Sequence, residues 1–255
     1  MRLKDKVIII TGATSGIGKS LAIRCVSEGA KVLVHGINKV DGEKLVNQLG
    51  KSAYLCIEDL NDLESPKKIV DCAISTFGKI DSVVNNAAAI ERNDLLKLTA
   101  ESFSKTITIN LQSALFLIQA AFPYLKQSQG NVLNIGSINA YTGESSLLAY
   151  SISKAGLQTM TRNLANAHGV DGVRFNLINP GWILTDREYA DQVKKGLPEN
   201  WPDDLGKENI PSGKMSTPDQ LAAACIYWLG DESKPFTGSV VDLEQFSIIG
   251  RNPEK

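Results

Sequence analysis

The chain has 255 residues, 43% hydrophobic and 22% charged, with a formal net charge of -1. This length suits one α/β domain spanning 1–255. The near-neutral charge leaves no basic footprint for nucleic acid or an anionic membrane, and no apolar run approaches the roughly 20 residues of a membrane span.

The chain enters an apolar strand after six residues, so no signal peptide is expected. Cys25, Cys56, Cys72 and Cys225 form no CxxC pair and have only two histidines to join them, which disfavours a disulfide framework or a zinc site. Buried thiols in a reducing compartment, the cytoplasm, are expected.

The run Val7-Ile8-Ile9-Ile10 is the continuous β-branched stretch of a parallel strand buried on both faces. It leads into Thr11-Gly12-Ala13-Thr14-Ser15-Gly16-Ile17-Gly18, and a helical pattern over 19–28 stops at Gly29. Strand, glycine-rich turn and helix aim free backbone N–H groups at a phosphate, and the glycines let the backbone approach the anion. A P-loop would need GxxxxGK[ST], and Ala13 stands where its first glycine belongs. No acidic residue follows Val83-Val84 to hold Mg²⁺.

A second strand over 31–34 ends in His35-Gly36-Ile37-Asn38, where a dinucleotide fold selects its cofactor. An acid there would bind the ribose hydroxyls of NAD and repel a 2′-phosphate. Further strands are expected at 53–57, 80–84, 131–135, 173–178 and 238–243. Helices are expected from Pro66 to 77, over 101–125, from about 149 to 168, and from Pro218 to 229. The alternation predicts a doubly wound parallel sheet with helices on both faces and ligand at the carboxyl ends of its strands. The apolar surface of 101–125 exceeds one narrow stripe, so that helix is expected to pack on the sheet and on something else. Residues 186–215, rich in charge and proline, show no clean periodicity and are read as a substrate lid.

Tyr150 and Lys154 fall one helical turn apart. An ammonium beside a phenol favours the phenolate and lowers a pKa otherwise near ~10, giving a tyrosine able to exchange protons.

The spacing TGxxxGxG, with Asp59, Asn85-Asn86-Ala87-Ala88, Asn110, Ser137, Tyr150-Ser151-Ile152-Ser153-Lys154 and Pro180-Gly181-Trp182-Ile183-Leu184-Thr185, resembles the short-chain dehydrogenase/reductase family over nearly the whole chain. The resemblance implies hydride transfer between a nicotinamide C4 and a carbonyl or secondary alcohol. It implies that Tyr150 is the general acid or base, Lys154 its modulator and a ribose ligand, Ser137 the donor to substrate oxygen, and Asn110 the holder of a relay water. It assigns cofactor contacts to Gly12, Thr14, Ser15, Gly16, Ile17, Gly18, Asn38, Asp59, Leu60, Asn86, Tyr150, Lys154, Pro180, Gly181, Ile183 and Thr185. Asp59 would contact the adenine amino group.

The family's NAD enzymes usually carry Asp where this chain has Gly36, and many of its NADP enzymes carry Arg where it has Ile37. The missing acid, with Ser15, Asn38 and Lys39 nearby, favours NADP(H) over NAD(H). Homodimer or homotetramer assembly through the 101–125 helix is also implied, with no metal. Two departures affect substrate identity: bulky Trp182, and Asp242-Leu243-Glu244-Gln245-Phe246 in place of a DGG-like turn. A small sugar or polyol substrate is expected, with reduction of a 3-oxoacyl thioester as the alternative. The other function classes are a non-catalytic dinucleotide-binding regulator, which could lose the four catalytic residues present here, and a P-loop NTPase.

Overall fold

The computed structural model describes residues 1–141, 144–208 and 210–246. Seven parallel strands form one sheet: β1 Val7–Ile10, β2 Lys31–Gly36, β3 Ala53–Ile57, β4 Ser82–Asn85, β5 Asn131–Ile135, β6 Arg174–Pro180 and β7 Val240–Leu243. Their order is β3-β2-β1-β4-β5-β6-β7, so the sequence order reverses between β1 and β4. In such a sheet the crevice at the reversal is where ligand binds.

Helices α1 (Gly16–Ser27), α2 (Lys39–Leu49) and α8 (Pro218–Leu229) lie on one face; Leu21, Leu45 and Ile226 pack there with Ile8, Val32 and Ile178. On the other face α3 (Ser65–Phe77), α5 (Ser113–Ser128) and α6 (Leu148–His168) cover Ile9, Leu33, Val83 and Phe175. Burial on both faces explains why β1 and β4 are buried at every position.

The expected elements are present with shifted ends. Helix α1 begins at Gly16 rather than 19, because the glycine turn itself winds into the helix. Strand β4 begins at Ser82 rather than 80, β6 extends to Pro180 beyond 178, and β7 begins at Val240 rather than 238.

The 101–125 helix is longer than expected. Helix α4 (Ala100–Ile107), a π-helical turn (Thr108–Gln112) and α5 run on as one 29-residue helix. By length and composition this helix is apolar enough to cross a membrane, which corrects the expectation that nothing approaches that length. The apolar residues Leu117, Ile118, Ala121 and Leu125 lie in the core beneath the sheet.

The segment 186–215 is also more ordered than its composition predicts. It holds α7 (Asp186–Lys194), a 3-10 turn at Trp201–Asp203, and its own small core of Trp201, Ile210 and Met215 packed by Trp182, Leu184, Val193 and Leu205.

Candidate active site

The glycine loop closes on itself so tightly that side chains are excluded. Gly12 and Gly16 have φ of 63° and 51°, and a Cβ on Gly18 would lie 2.3 Å from the Gly12 carbonyl oxygen. Ser15 stands at the N-cap of α1 without a capping side-chain bond, and the first turn carries no acid. Its N–H groups, including those of Gly16 and Ile17, are therefore available to an anion at the positive end of the helix dipole.

The loop is braced by the β4 end. Asn86 Nδ2 donates to the carbonyls of Thr11 (2.8 Å) and Gly12 (3.2 Å), while Thr11 Oγ1 accepts from the Asn86 and Ala87 amides. Ala88, which replaces the family glycine, is not among the residues with positive φ, so its methyl group causes no backbone strain.

At the β2 end, Gly36 is buried, and a Cβ there would meet Thr14 Cγ2 at 2.6 Å and Oγ1 at 2.7 Å. Thr14 thus occupies the space an acidic side chain would enter. Ile37 is 74% exposed. Asn38 caps α2, accepting from the Asp41 amide (3.1 Å) and donating to the Asp41 carboxylate (2.6 Å). That side chain is committed to the helix end, and it brings a carboxylate with it. Asp59 is exposed, with Oδ1 accepting from the Asn61 amide at 2.9 Å, and Leu60 is buried behind it.

The residues around Tyr150 come together from four elements. Tyr150 and Lys154 share one face of α6, with the Lys154 ammonium 5.6 Å from the phenol ring centroid. Lys154 Nζ donates to the Ile135 carbonyl at 2.7 Å, and Ser137 at the end of β5 is hydrogen-bonded to the Tyr150 side chain.

Asn110 sits in the π turn. Its Oδ1 accepts from the Ala89 amide (2.7 Å), and its Nδ2 donates to the Ala89 carbonyl and to Ser153 Oγ, both at 3.0 Å. Ser153 in turn donates to the Tyr150 carbonyl at 2.6 Å. The Asn110 side chain thus ties the β4 loop to α6. Ser153 was not singled out in the sequence, although it lies inside the YxxxK stretch. Leu111 on the π turn packs into the space beside Gly156 on α6, where a Cβ would lie 2.7 Å from Leu111 Cδ2.

One expectation is reversed. Burial pushes the Tyr150 phenol above its usual pKa of 10, and the Ser137 hydrogen bond offsets this only in part. The Lys154 ammonium lies over the ring and donates to Ile135, while burial lowers its own pKa from 10.5 to about 8.

The loop after β6 completes the enclosure. Pro180 ends the strand, and the Gly181 amide donates to the Leu243 carbonyl at 2.9 Å. Ile183 is buried and bridges to Ser216. Thr185 caps α7, accepting from the Glu188 amide, and its methyl group lies 3.5 Å from where a Gly16 Cβ would be. It therefore faces the glycine loop. Trp182 turns to the 186–215 segment, stacking on Trp201 at 5.6 Å and donating to Glu188 at 2.9 Å.

This cradle of glycines, open helix N–H groups and a Tyr–Lys–Ser cluster at the sheet reversal fits a dinucleotide with a reacting carbon beside Tyr150. The family model described as short chain dehydrogenase matches residues 6–195. The chain is a member of the short-chain dehydrogenase family.

The chain is 31% identical over 248 residues to an L-rhamnose 1-dehydrogenase (NAD(P)(+)) of Azotobacter vinelandii, covering 94% of this chain and 95% of the relative. It is 30% identical over 253 residues to a 3-oxoacyl-acyl-carrier-protein reductase of Thermotoga maritima, covering 98% and 100%. Among solved structures, the 3-ketoacyl-(acyl-carrier-protein) reductase of Brucella melitensis complexed with NADH superposes with a TM-score of 0.84 at 25% identity, covering 94% of this short-chain dehydrogenase and 97% of that chain.

Proposed function

We propose that the protein is an NAD(P)-dependent oxidoreductase that interconverts a secondary alcohol and a carbonyl on a small hydroxylated substrate, with Tyr150 as the proton-transfer group. The observation that carries this is the convergence of Tyr150, Lys154, Ser137 and Asn110 beside the glycine loop at the sheet reversal.

The Gly12–Gly18 loop, Asn86 and the loop carrying Ile183 and Thr185 would hold a nicotinamide dinucleotide, which would supply or accept the hydride. In reduction Tyr150 gives its proton to the substrate oxygen as the carbonyl carbon gains the hydride, and in oxidation it takes that proton back. Ser137 donates a hydrogen bond to the same oxygen, stabilising the charge that develops there. Lys154, still protonated at neutral pH with its pKa near 8, stabilises the phenolate left behind. Asn110 fixes the β4 loop against α6 and so holds the pocket wall.

Three finer points belong to this reading. NADP(H) is preferred, because Gly36 carries no acid and Thr14 fills the space of one. Asp41, held by Asn38, tempers the preference by placing a negative charge on the same side. A sugar or polyol is favoured because Glu244 presses on Gly181 and accepts from the Trp182 amide, setting a hydroxyl-binding carboxylate beside the cofactor loop. The rhamnose dehydrogenase relative supports this choice, while the two acyl-carrier reductases keep 3-oxoacyl thioesters as the second reading.

Leu115 and Phe116 are exposed on α5, Phe116 beside Pro66, Val70, Ala120 and Tyr124, and this apolar surface supports a homodimer or homotetramer. Sedimentation at micromolar concentration tests it, and a strict monomer refutes it. Four free cysteines suit a reducing cytoplasm.

The test of the activity is a panel of sugars, polyols, ketones and a 3-oxoacyl thioester, followed by nicotinamide absorbance with each cofactor. On any active substrate Tyr150→Phe is expected to lower kcat by at least about 10³-fold while NADPH affinity changes less than about threefold. Wild-type-like turnover of that variant refutes the assignment.

A further inference from the structure

Asn179 is fully buried at the end of β6, one residue before Pro180, and its side chain joins the ends of β5 and β7 to α6. Its Oδ1 accepts from the Ser137 amide at 2.9 Å. Its Nδ2 faces three acceptors: Asp242 Oδ1 at 2.9 Å, Gln158 Oε1 on α6 at 3.2 Å and the Tyr141 hydroxyl at 3.5 Å. Tyr141 itself donates to Asp242 Oδ1 at 3.2 Å. The approach is so close that a Cβ on Gly136 would lie 2.1 Å from Asn179 Oδ1.

The orientation of the amide is fixed by chemistry. The Ser137 N–H needs an acceptor and the Asp242 carboxylate needs a donor, so only one rotamer serves both.

We propose that Asn179 is a positioning residue: paired with Asp242, it sets the Gly136–Ser137 peptide and thereby the Ser137 hydroxyl against Tyr150. This rests on the reading of Ser137 and Tyr150 as the reacting pair. Asp242 lies in the turn that departs from the family pattern. Its side chain makes the end of β7, otherwise remote from the chemistry, a support for β5. Gly136 has no side chain because the support passes through that space.

The test uses charge and hydrogen-bond polarity rather than bulk. Asn179→Asp keeps the acceptor for Ser137 but places a second carboxylate against Asp242, where two such groups share one proton. Ser137 is then displaced near neutral pH and returns to place as the pair takes up a proton. The other groups that face this pair are Tyr141, whose hydroxyl burial and Asp242 push upward, and Arg162 on α6, whose charge acts on Tyr141 in the opposite sense.

At pH 8, kcat relative to wild type is expected to fall about a hundredfold with NADPH affinity unchanged, as for an ångström-scale misplacement. By pH 5.5 the ratio is expected to rise about tenfold, because one shared proton restores the missing donor. The double variant Asn179→Asp with Asp242→Asn reverses donor and acceptor and is expected to recover to within about threefold of wild type. A pH-independent ratio, or a double variant no better than the single one, overturns the proposal.

If Asn179→Asp does not fold by circular dichroism, Asp242→Ala on the more exposed side of the pair replaces it. About a tenfold loss in kcat is then expected, and an unchanged kcat overturns the proposal. Tyr150→Phe, measured in parallel, separates the two readings. If that variant is active, the proton-transfer assignment fails; if it is inactive while Asn179→Asp behaves as wild type, only the positioning role fails.

Discussion

Lys154 offers a test in which stability and chemistry move in opposite directions. Its side chain is 2% exposed, and the only hydrogen bond described for its ammonium is the one to the Ile135 carbonyl. Burial lowers its pKa from 10.5 to about 8. Because the folded protein holds this proton less tightly than the unfolded chain, the folded state bears the full cost below pH 8, where both forms are charged. At roughly 1.4 kcal/mol per pH unit that cost is about 3 kcal/mol. It fades as pH rises from about 8 to 10.5, since the folded form deprotonates first, and it is gone above that range.

Lys154→Met removes the charge but strands the Ile135 carbonyl, an opposing loss of about 1–2 kcal/mol. The variant is therefore expected to be about 1–2 kcal/mol more stable than wild type at pH 7, a Tm higher by about 3–6 °C. Near pH 10 it should be equal or less stable, and it should lack activity throughout. Calorimetry at fixed protein concentration reads this directly, since oligomerisation would otherwise shift Tm. A variant that is destabilised at pH 7, or that keeps its gain at pH 10, refutes the reasoning.

Other substitutions probe the cradle and the lid. Gly18→Ala must displace backbone at Gly12, so it is expected to cost about 1–3 kcal/mol by chemical denaturation and to weaken NADPH binding at least about tenfold by fluorescence titration. Gly36→Asp is expected to shift the NADPH-to-NADH affinity ratio toward NADH by about tenfold or more. The strain it introduces against Thr14 should be relieved by adding Thr14→Ala, which removes both atoms that a new Cβ would meet most closely. Trp201→Ala removes the centre of the 186–215 core and tests whether this segment closes over substrate: it is then expected to raise substrate KM about tenfold and speed hydrogen exchange over 186–215, with kcat little changed.

Features whose chemistry is local were readable in the sequence. The glycine spacing reports φ values and close approaches within a single turn, and an i, i+4 Tyr–Lys pair is set by helix geometry alone. The alternation of short β-branched runs with helices carried the sheet, its reversal and the end at which the site lies. Helix α7 was missed because Asp186–Lys194 has no apolar stripe facing the core. Its start is fixed by the Thr185 cap and its place by packing of Val193 on the Trp201 cluster. Helix α2 was also unassigned, although Asn38 three residues before Asp41 is the capping signal that would have revealed it.

Asn179 was unreadable for another reason: its partners lie 21 to 63 residues away, and only the assembled sheet brings them together. The spacing placed the Lys154 ammonium beside the Tyr150 ring, where it is found. What the spacing could not show is the burial of the phenol, which raises its pKa on balance.

The π turn at Thr108–Gln112 has a consequence for how this helix varies. One extra residue in a turn is a phase slip of about 100° between the helical segments on its two sides. The apolar residues of 101–125 overflow a single stripe partly because two stripes of different phase meet at Asn110. Deleting one residue from this turn would restore an unbroken α-helix of ordinary appearance. It would also oblige either the sheet-facing side of α5 or the Asn110 amide to swing out of place. The site is thus written into the helix as a count of residues, and a deletion that spares Asn110 and every sheet-facing side chain of α5 would still dismantle it.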